Sequence, residues 1–207
     1  MIDQKLAASA PRPAVEPRWY DRVPLRTYVL AALVVIAVQA VAQYAMGRPP
    51  ICKCGYVKLW HGVVLSAENS QHISDWYSPS HVIHGFLLYG LLWLVGRRWP
   101  AGLRFVLAVV FEACWETFEN SSFVIERYRA MTISLDYYGD SIVNSVSDVL
   151  FCAAGFVLAR RWPVWVTVAV AVALEVIVGA CIRDNLTLNV IMLIHPLDAI
   201  KAWQQAI

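Results

Sequence analysis

Charge is what this sequence has least of. Aspartate, glutamate, lysine and arginine make up 15% of its 207 residues, whereas soluble domains carry about 25%. With 59% of the residues hydrophobic and a mean hydropathy of +0.54, an ordinary soluble domain is excluded. An excess of one sign is also missing, since 17 basic and 15 acidic side chains leave a net charge of +2. The basic residues sit in short flanking clusters and not along one face, so no nucleic-acid footprint is present. Familiar catalytic fingerprints are absent too. The chain has no G-x-S-x-G, phosphate-binding loop, H-E-x-x-H or dinucleotide motif, and no inverted repeat of the kind many transporters carry.

What the chain does have is apolar blocks near 20 residues long, the length that crosses roughly 30 Å of hydrocarbon as an α-helix. Spans are expected at about 26–46, at 81–95 with its flanks, and at 101–119, 141–159 and 163–182. Arg, Pro or a polar cluster marks each boundary. The expected fold is all-α, a transmembrane helix bundle of about five spans with a short C-terminal interfacial or re-entrant helix. Residues 1–24 form a polar, proline-bearing tail. Residues 25–185 form the bundle, with outer loops at 47–80 and 120–140. Residues 186–207 form a C-terminal interfacial segment, because the apolar stretch 186–200 is short and broken by Asn189, His195 and Pro196. Small residues around Ala42 and Ala45 imitate a cleavage site, but the long preceding tail and the full spanning length favour an uncleaved anchor.

Basic residues set the orientation. Arg97, Arg98 and Arg104 in one tight turn, and Arg160 and Arg161 in another, stand without acids nearby. Short cytoplasmic loops keep such an excess, so the N-terminus is expected in the cytoplasm and the C-terminus in the periplasm, with the cell inner membrane as the location. The lipid bilayer is then the first partner. Trp99, Trp162 and Trp165 at one interface, and Trp60, Trp76 and Tyr77 near the other, fit aromatic belts.

With that topology nearly every unusual polar residue gathers at the outer ends of the helices. Glu112, Glu116 and Glu119 share one face of the third span at i, i+4 and i+7, and Asp140, Asn144 and Asp148 repeat every four residues around the start of the fourth. Counted inward at 1.5 Å per residue, Glu112, Asp148 and Glu175 lie roughly 10–12 Å below the helix mouths, and His84 roughly 5–6 Å. An ionisable group at mid-membrane costs on the order of 2.5–3.5 kcal/mol, so three facing lipid would cost about 8–10 kcal/mol. They are expected to face each other, water, a metal or a substrate. An outward-facing acidic and histidine-bearing cavity follows. Glu112, Asp148 and His84 are its candidate catalytic groups. Glu116, Asn120, Asn144, Glu175 and His81 are its candidate binding groups. Glu116 and Glu119 also read as ordinary solvated residues close to the surface, and His61 and His72 as loop residues.

The pair His81/His84 at i, i+3 with carboxylates nearby is compatible with a metal, but it is not a zinc signature, and no metal or cofactor is named by the pattern. Cys52 and Cys54 form C-x-C on the oxidising side. One intervening residue makes a mutual bridge strained, leaving a metal contact with His61 or a redox role open. Cys114, Cys152 and Cys181 lie within spans and read as small packing residues.

Along CKCGYVKLWHGVVLSAENSQHISDWYSPSHVIHG, ENSSFVIERYRAMTISLDYYGDSIVNSVSD and RDNLTLNVIMLIHPLDAI, the chain resembles an uncharacterised family of bacterial multipass inner-membrane proteins. That resemblance implies a cell-membrane location and several spans, and no activity. More distantly, the order of a His-bearing helix, a Glu-bearing helix and an Asp-x3-Asn-x3-Asp helix resembles the VanZ-like group. The matching positions are His84, Glu112 or Glu116, and Asp140 with Asn144 and Asp148.

Three functions fit these features. The first is binding or processing of an amphiphilic envelope molecule in the acidic and histidine-bearing cavity, with Glu112 or Asp148 as acid/base and His84 as partner. The second is a proton- or cation-coupled transporter that uses the same acids as carriers. The third is a structural or assembly subunit whose polar layer only specifies helix packing.

Overall fold

A chain segment in lipid must satisfy its backbone N–H and C=O groups internally, and a helix does so within one segment. The computed structural model describes residues 23–131 and 137–205. Among the described residues the regular structure is helical: α1 (Leu25–Ala45), α2 (Ser78–Val95), α3 (Ala101–Glu119), α4 (Ser122–Met131), α5 (Ile142–Arg161), α6 (Val164–Ile182), α7 (Leu186–Ile194) and α8 (Asp198–Gln205). Most of the expected polar tail lies outside the described residues.

Helices α1, α2, α5 and α6 are long and apolar enough to cross a membrane. The remaining expected span, α3, has 19 residues but carries Arg104, Glu112, Glu116 and Glu119. Its position accounts for the charge: α3 packs against α1, α2 and α5, so its polar face meets other helices. Pro24, Pro100 and Pro163 stand at the N-caps of α1, α3 and α6, where a missing N–H leaves no bond unmade. The Ser141 side chain caps α5 by accepting from Asn144 N, and that of Asn185 caps α7 by accepting from Leu188 N. After Ile194 the chain breaks at His195 and Pro196 and resumes as α8, so the C-terminal apolar stretch is indeed too short to span.

The most extensive helix pair is α2 with α5, and two glycines permit it. A Cβ on Gly85 would lie 2.1 Å from the Cys152 carbonyl oxygen, and one on Gly155 would lie 2.2 Å from that of Val82. Only hydrogen fits at either place, so the backbones touch as small-residue interfaces in membranes allow. Beyond this crossing, toward the Arg97 and Arg160 turns, Leu92, Ala108 and Phe156 pack with Leu88, Tyr89, Trp99 and Phe105. A second apolar cluster of Ala32, Val109, Ala113 and Val149 joins α1 to α3 and α5. That half of the bundle is closed by apolar side chains.

The opposite end is covered by the two polar segments. In the first, His61 N donates to Ser74 O at 2.9 Å and Ile73 N to Lys58 O at 3.1 Å, closing a loop stitched by one bridge between His61 and Asp75. The second segment, read from sequence as a loop, contains α4, whose Val124, Ile125 and Tyr128 are buried. The cysteine expectation is corrected: Cys52 and Cys54 are joined as a disulfide, with Cα atoms 5.1 Å apart. The turn at 52–55, closed by Gly55 N donating to Cys52 O, brings the two sulfurs together.

Candidate functional site

The site is assembled where α2, α3 and α5 meet beneath the outer segments. Asp75 sets the entry of α2. Its carboxylate accepts from Tyr77 N at 2.8 Å and Ser70 N at 3.0 Å, and its own N–H donates to Ser78 Oγ at 3.1 Å. Helical spacing then places His81 and His84 on one face of α2, Glu112 and Glu116 on one face of α3, and Asn144 and Asp148 on one face of α5. The Gly85–Gly155 contact brings these faces within side-chain reach.

Glu112 lies at the centre. Its Oε1 is 2.7 Å from His81 Nδ1 and 2.9 Å from His84 Nδ1, and its Oε2 is 3.1 Å from His84 Nδ1. His81 also faces Glu116, with Nδ1 3.3 Å from Oε1, and Asp148, with Nε2 3.8 Å from Oδ2. Glu112, Glu116 and Asp148 are 2%, 1% and 5% exposed and His81 8%, whereas His84 is half-buried. Carboxylates this far from water need partners, and the two histidines supply them.

Polar side chains from every direction hold this centre. Ser145 Oγ donates to Glu116 Oε2 at 2.9 Å, and Gln43 Nε2 of α1 donates to Ser145 Oγ at 2.8 Å and to Glu116 O at 3.2 Å. Asn120 Nδ2 donates to Asp140 Oδ2 at 2.7 Å, while Asn120 Oδ1 accepts from Asp140 N at 2.7 Å. Asp140 also accepts from Tyr137 OH at 2.9 Å. Burial, and then the nearby Glu119 charge, pushes the Asp140 carboxyl up to about 7. Asn144 Nδ2 donates to His72 O at 2.8 Å and Ser141 Oγ to Gln71 O at 2.9 Å, so the start of α5 clamps the outer loop over the cluster.

Beside the cluster lies a cavity of about 570 Å³. Its lining includes His81, His84, Glu112 and Asp148, and also Leu87, Phe111, Trp115 and Phe118 together with Leu186, Val190 and Leu193 of α7. Leu87, Phe111 and Phe118 are each at least half exposed, so apolar lining residues continue onto the surface of the bundle. Among the described residues no lysine or arginine lines the cavity. Acidic and imidazole groups with apolar side chains in one cavity are chemically suited to an amphiphile or a cation.

The residues expected from the sequence fall in three groups. Glu112, Asp148, His84, Glu116 and His81 come together in one cluster, with His81 and not His84 at the middle. Asn120 and Asn144 are buried supports that bind Asp140 and the loop backbone. Glu175 is not part of the cluster and corrects the expectation of a third acid in that layer. Its carboxylate accepts from Leu186 N and Thr187 N, both at 3.0 Å, holding the N-terminus of α7, where negative charge is favoured. Glu116 is likewise not a solvated surface residue, because the covering segments bury it. Sequence reasoning missed Asp75, Tyr137 and Gln43. For Gln43, a polar side chain within an apolar span was the available signal.

The outer loop holds a second group of titratable side chains. Glu68 accepts from Lys58 Nζ at 2.6 Å, lies 3.0 Å from His72 Nε2 and accepts from Tyr56 OH at 2.9 Å. Lys58, His72 and Tyr56 hold the Glu68 carboxyl down at about 2. His72 and His61 are loop residues as expected, yet both are buried, with ring centres 5.2 Å apart. With Glu68 already partnered by a cation and the neighbouring cysteines bonded to each other, this group reads as a clasp of the loop.

These features define the class of the protein: an all-α bundle with helices long and apolar enough to cross a membrane, built around a buried histidine–carboxylate cluster. The chain belongs to the family described as "Protein of unknown function (DUF2585)", whose model matches residues 43–206. It is similar to a UPF0314 protein of Sinorhizobium fredii, 60% identical over 177 residues covering 86% of this chain and 90% of the relative. A UPF0314 protein of Rhizobium meliloti is 59% identical over 180 residues, 87% of this chain and 91% of the relative. One from Paracoccus denitrificans is 55% identical over 177 residues, 86% and 92% of the two chains. No solved structure matches the chain.

Proposed function

We propose that this protein resides in the cell inner membrane and binds, and through Glu112 and its histidines processes, an amphiphilic envelope molecule. The observation that carries the reading is the mixed lining of the cavity, in which a histidine–carboxylate cluster and apolar side chains that continue onto the bundle surface share one space. An amphiphile entering from the bilayer places its apolar part against Phe111, Trp115 and α7 and its polar part against His81, His84 and Glu112. The Glu112 carboxylate, held between two imidazoles, is placed to take a proton from the ligand, and His84, the more exposed of the two, to return it. Asp148 supports His81 from the far side of the ring. The N-terminus lies in the cytoplasm and the cluster opens toward the periplasm, in accord with the arginines of the two tight turns.

Transport through the bundle is disfavoured by the apolar packing of Leu92, Ala108 and Phe156, which lies between the acids and the Arg97 and Arg160 turns. Native mass spectrometry of protein released in mild detergent tests the binding. A co-purifying amphiphile is expected, with lower occupancy in Leu193→Asp, which puts a charge into the apolar lining. Wild-type protein that carries no amphiphile from its native membrane contradicts the reading.

A further inference from the structure

The buried cluster has more carboxyl groups than basic partners. Glu112, Glu116 and Asp148 approach two histidines, and among the described residues no lysine or arginine lines the adjoining cavity. One oxygen stands out. Glu116 Oε1 is buried without a hydrogen bond: it lies 3.3 Å from His81 Nδ1, but that nitrogen is closer to Glu112 Oε1, at 2.7 Å, and one ring nitrogen directs at most one hydrogen. An unbonded carboxylate oxygen in a residue 1% exposed is costly unless something positive meets it.

We propose that this cluster is a divalent transition-metal site, with Glu112, His81 Nδ1 and His84 Nδ1 as the metal-binding groups and the unbonded Glu116 Oε1 beside them, facing His81. This rests on and deepens the reading of the same cavity: with the cation bound, Glu112 and His84 would serve as its ligands, and the cation in their place would meet the ligand's polar part. Mixed imidazole and carboxylate donors suit zinc, iron(II) or manganese and not a hard alkaline-earth ion alone. Donors around an ion with bonds of about 2.1 Å stand roughly 3.0–3.4 Å apart. Glu112 Oε1 stands 2.7 Å from His81 Nδ1 and 2.9 Å from His84 Nδ1, and donor atoms of these three residues lie within 4.8 Å of one another, so small outward shifts admit the ion. His81 has the further feature such sites show, a carboxylate behind the ligating ring. Its Nε2 faces Asp148 Oδ2 at 3.8 Å, while Ser78 Oγ lies 3.5 Å from Asp148 Oδ1. Asp148 is therefore a positioning residue that flanks the imidazole on its Nε2 side. The half-buried His84 leaves the ion reachable from the cavity, as a site with an open position requires.

The test uses the full-length chain in detergent, stripped with a chelator and titrated with cobalt(II), with zinc then competing. Stoichiometric binding with visible d–d absorption that zinc abolishes is expected. Glu112→Gln and His84→Asn should each weaken cobalt binding by at least about a hundredfold, and Asp148→Asn by about 10–100-fold with the absorption bands shifted but retained. Glu68→Gln, in the outer-loop clasp, should leave binding unchanged. Monodisperse elution of His84→Asn, whose side chain is half-buried, separates lost ligation from lost folding. Absence of cobalt binding by folded wild-type protein, or equal binding by Glu112→Gln, overturns the proposal. Amphiphile retained without metal removes the metal site alone, and metal bound without a retained amphiphile removes the binding reading alone.

Discussion

His81 Nδ1 lies 2.7 Å from Glu112 Oε1, between a helix that starts under the outer loop and one that carries three carboxylates on a single face. The same helix, α2, is held against α5 through Gly85 and Gly155, which brings Asp148 of α5 to the other side of His81. Function and packing in this protein therefore meet at two glycines, and stability and site chemistry can be perturbed separately.

Replacing Glu116 by Gln separates them in one direction. The substitution removes one buried negative charge while keeping an oxygen to accept from Ser145. With Glu112 and Asp148 left beside His81, the loss of one carboxylate relieves like-charge crowding in a buried site. Metal-free Glu116→Gln is expected to melt no lower than the metal-free parent in detergent, and to hold metal more weakly. A drop in the metal-free melting temperature would mean that the carboxylate is structural.

Gly85→Leu and Gly155→Leu perturb in the other direction. Each drives a side chain into backbone that already occupies its Cβ position, and overpacking of this kind costs about 1–3 kcal/mol or more. Thermal scans should show lower stability for both, while Gly90→Leu, whose Cβ meets nothing within 4 Å, should be tolerated.

The loop clamp is testable at Asn144. Its side chain donates to His72 O at 2.8 Å. Asn144→Ala leaves that buried carbonyl unsatisfied, at about 1–3 kcal/mol. Faster hydrogen exchange is expected in residues 69–75, with the exchange of α6 unchanged.

Asp184 gives a pH dependence outside the cluster. It accepts from Tyr77 OH at 3.1 Å and Gln204 Nε2 at 3.1 Å, tying α8 to the start of α2. Burial pushes its carboxyl from the ordinary value near 3.8 up to about 6. A raised acid contributes stability fully below its unfolded value and loses it as pH rises through the folded one. Docking of α8 should therefore weaken between about pH 4 and pH 6, by on the order of 3 kcal/mol at most, and stay level above. Exchange rates of 198–205, corrected for the intrinsic pH effect, check this, and Asp184→Asn should flatten the profile.

Much of the architecture is legible without coordinates, because spans of about 20 apolar residues and their Arg and Pro borders follow from hydrocarbon thickness alone. Glu112, Asp148 and His84 were also recoverable, since helical rise converts distance from a helix end into depth. Glu116 shows where that conversion stops. It lies one turn from the end of α3 and would be wet there, had residues 69–75 and 137–141 not folded across it, and that covering is a tertiary fact. Glu175 fails for a similar reason. Its partners are the amide groups at the start of α7, which turns back onto α6 through Arg183 at φ +54°. In α4 a buried pattern at Val124, Ile125 and Tyr128 was present, but it is short and carries Glu126, Arg127 and Arg129, so it resembles a polar loop.

The measurement that bears most directly on the central claim is chemical access to the cluster. In a background whose cysteines are all replaced, single cysteines His84→Cys, Leu92→Cys and Glu175→Cys are exposed on intact spheroplasts to a thiol reagent that cannot cross the membrane. An outward-facing cavity predicts labelling of His84→Cys, blocked after the apolar part of the cavity is filled by Leu193→Trp, with no labelling of Leu92→Cys in the closed half of the bundle. Protection at position 84 equal to that at 92 would contradict the cavity and leave the buried histidines and carboxylates as packing alone.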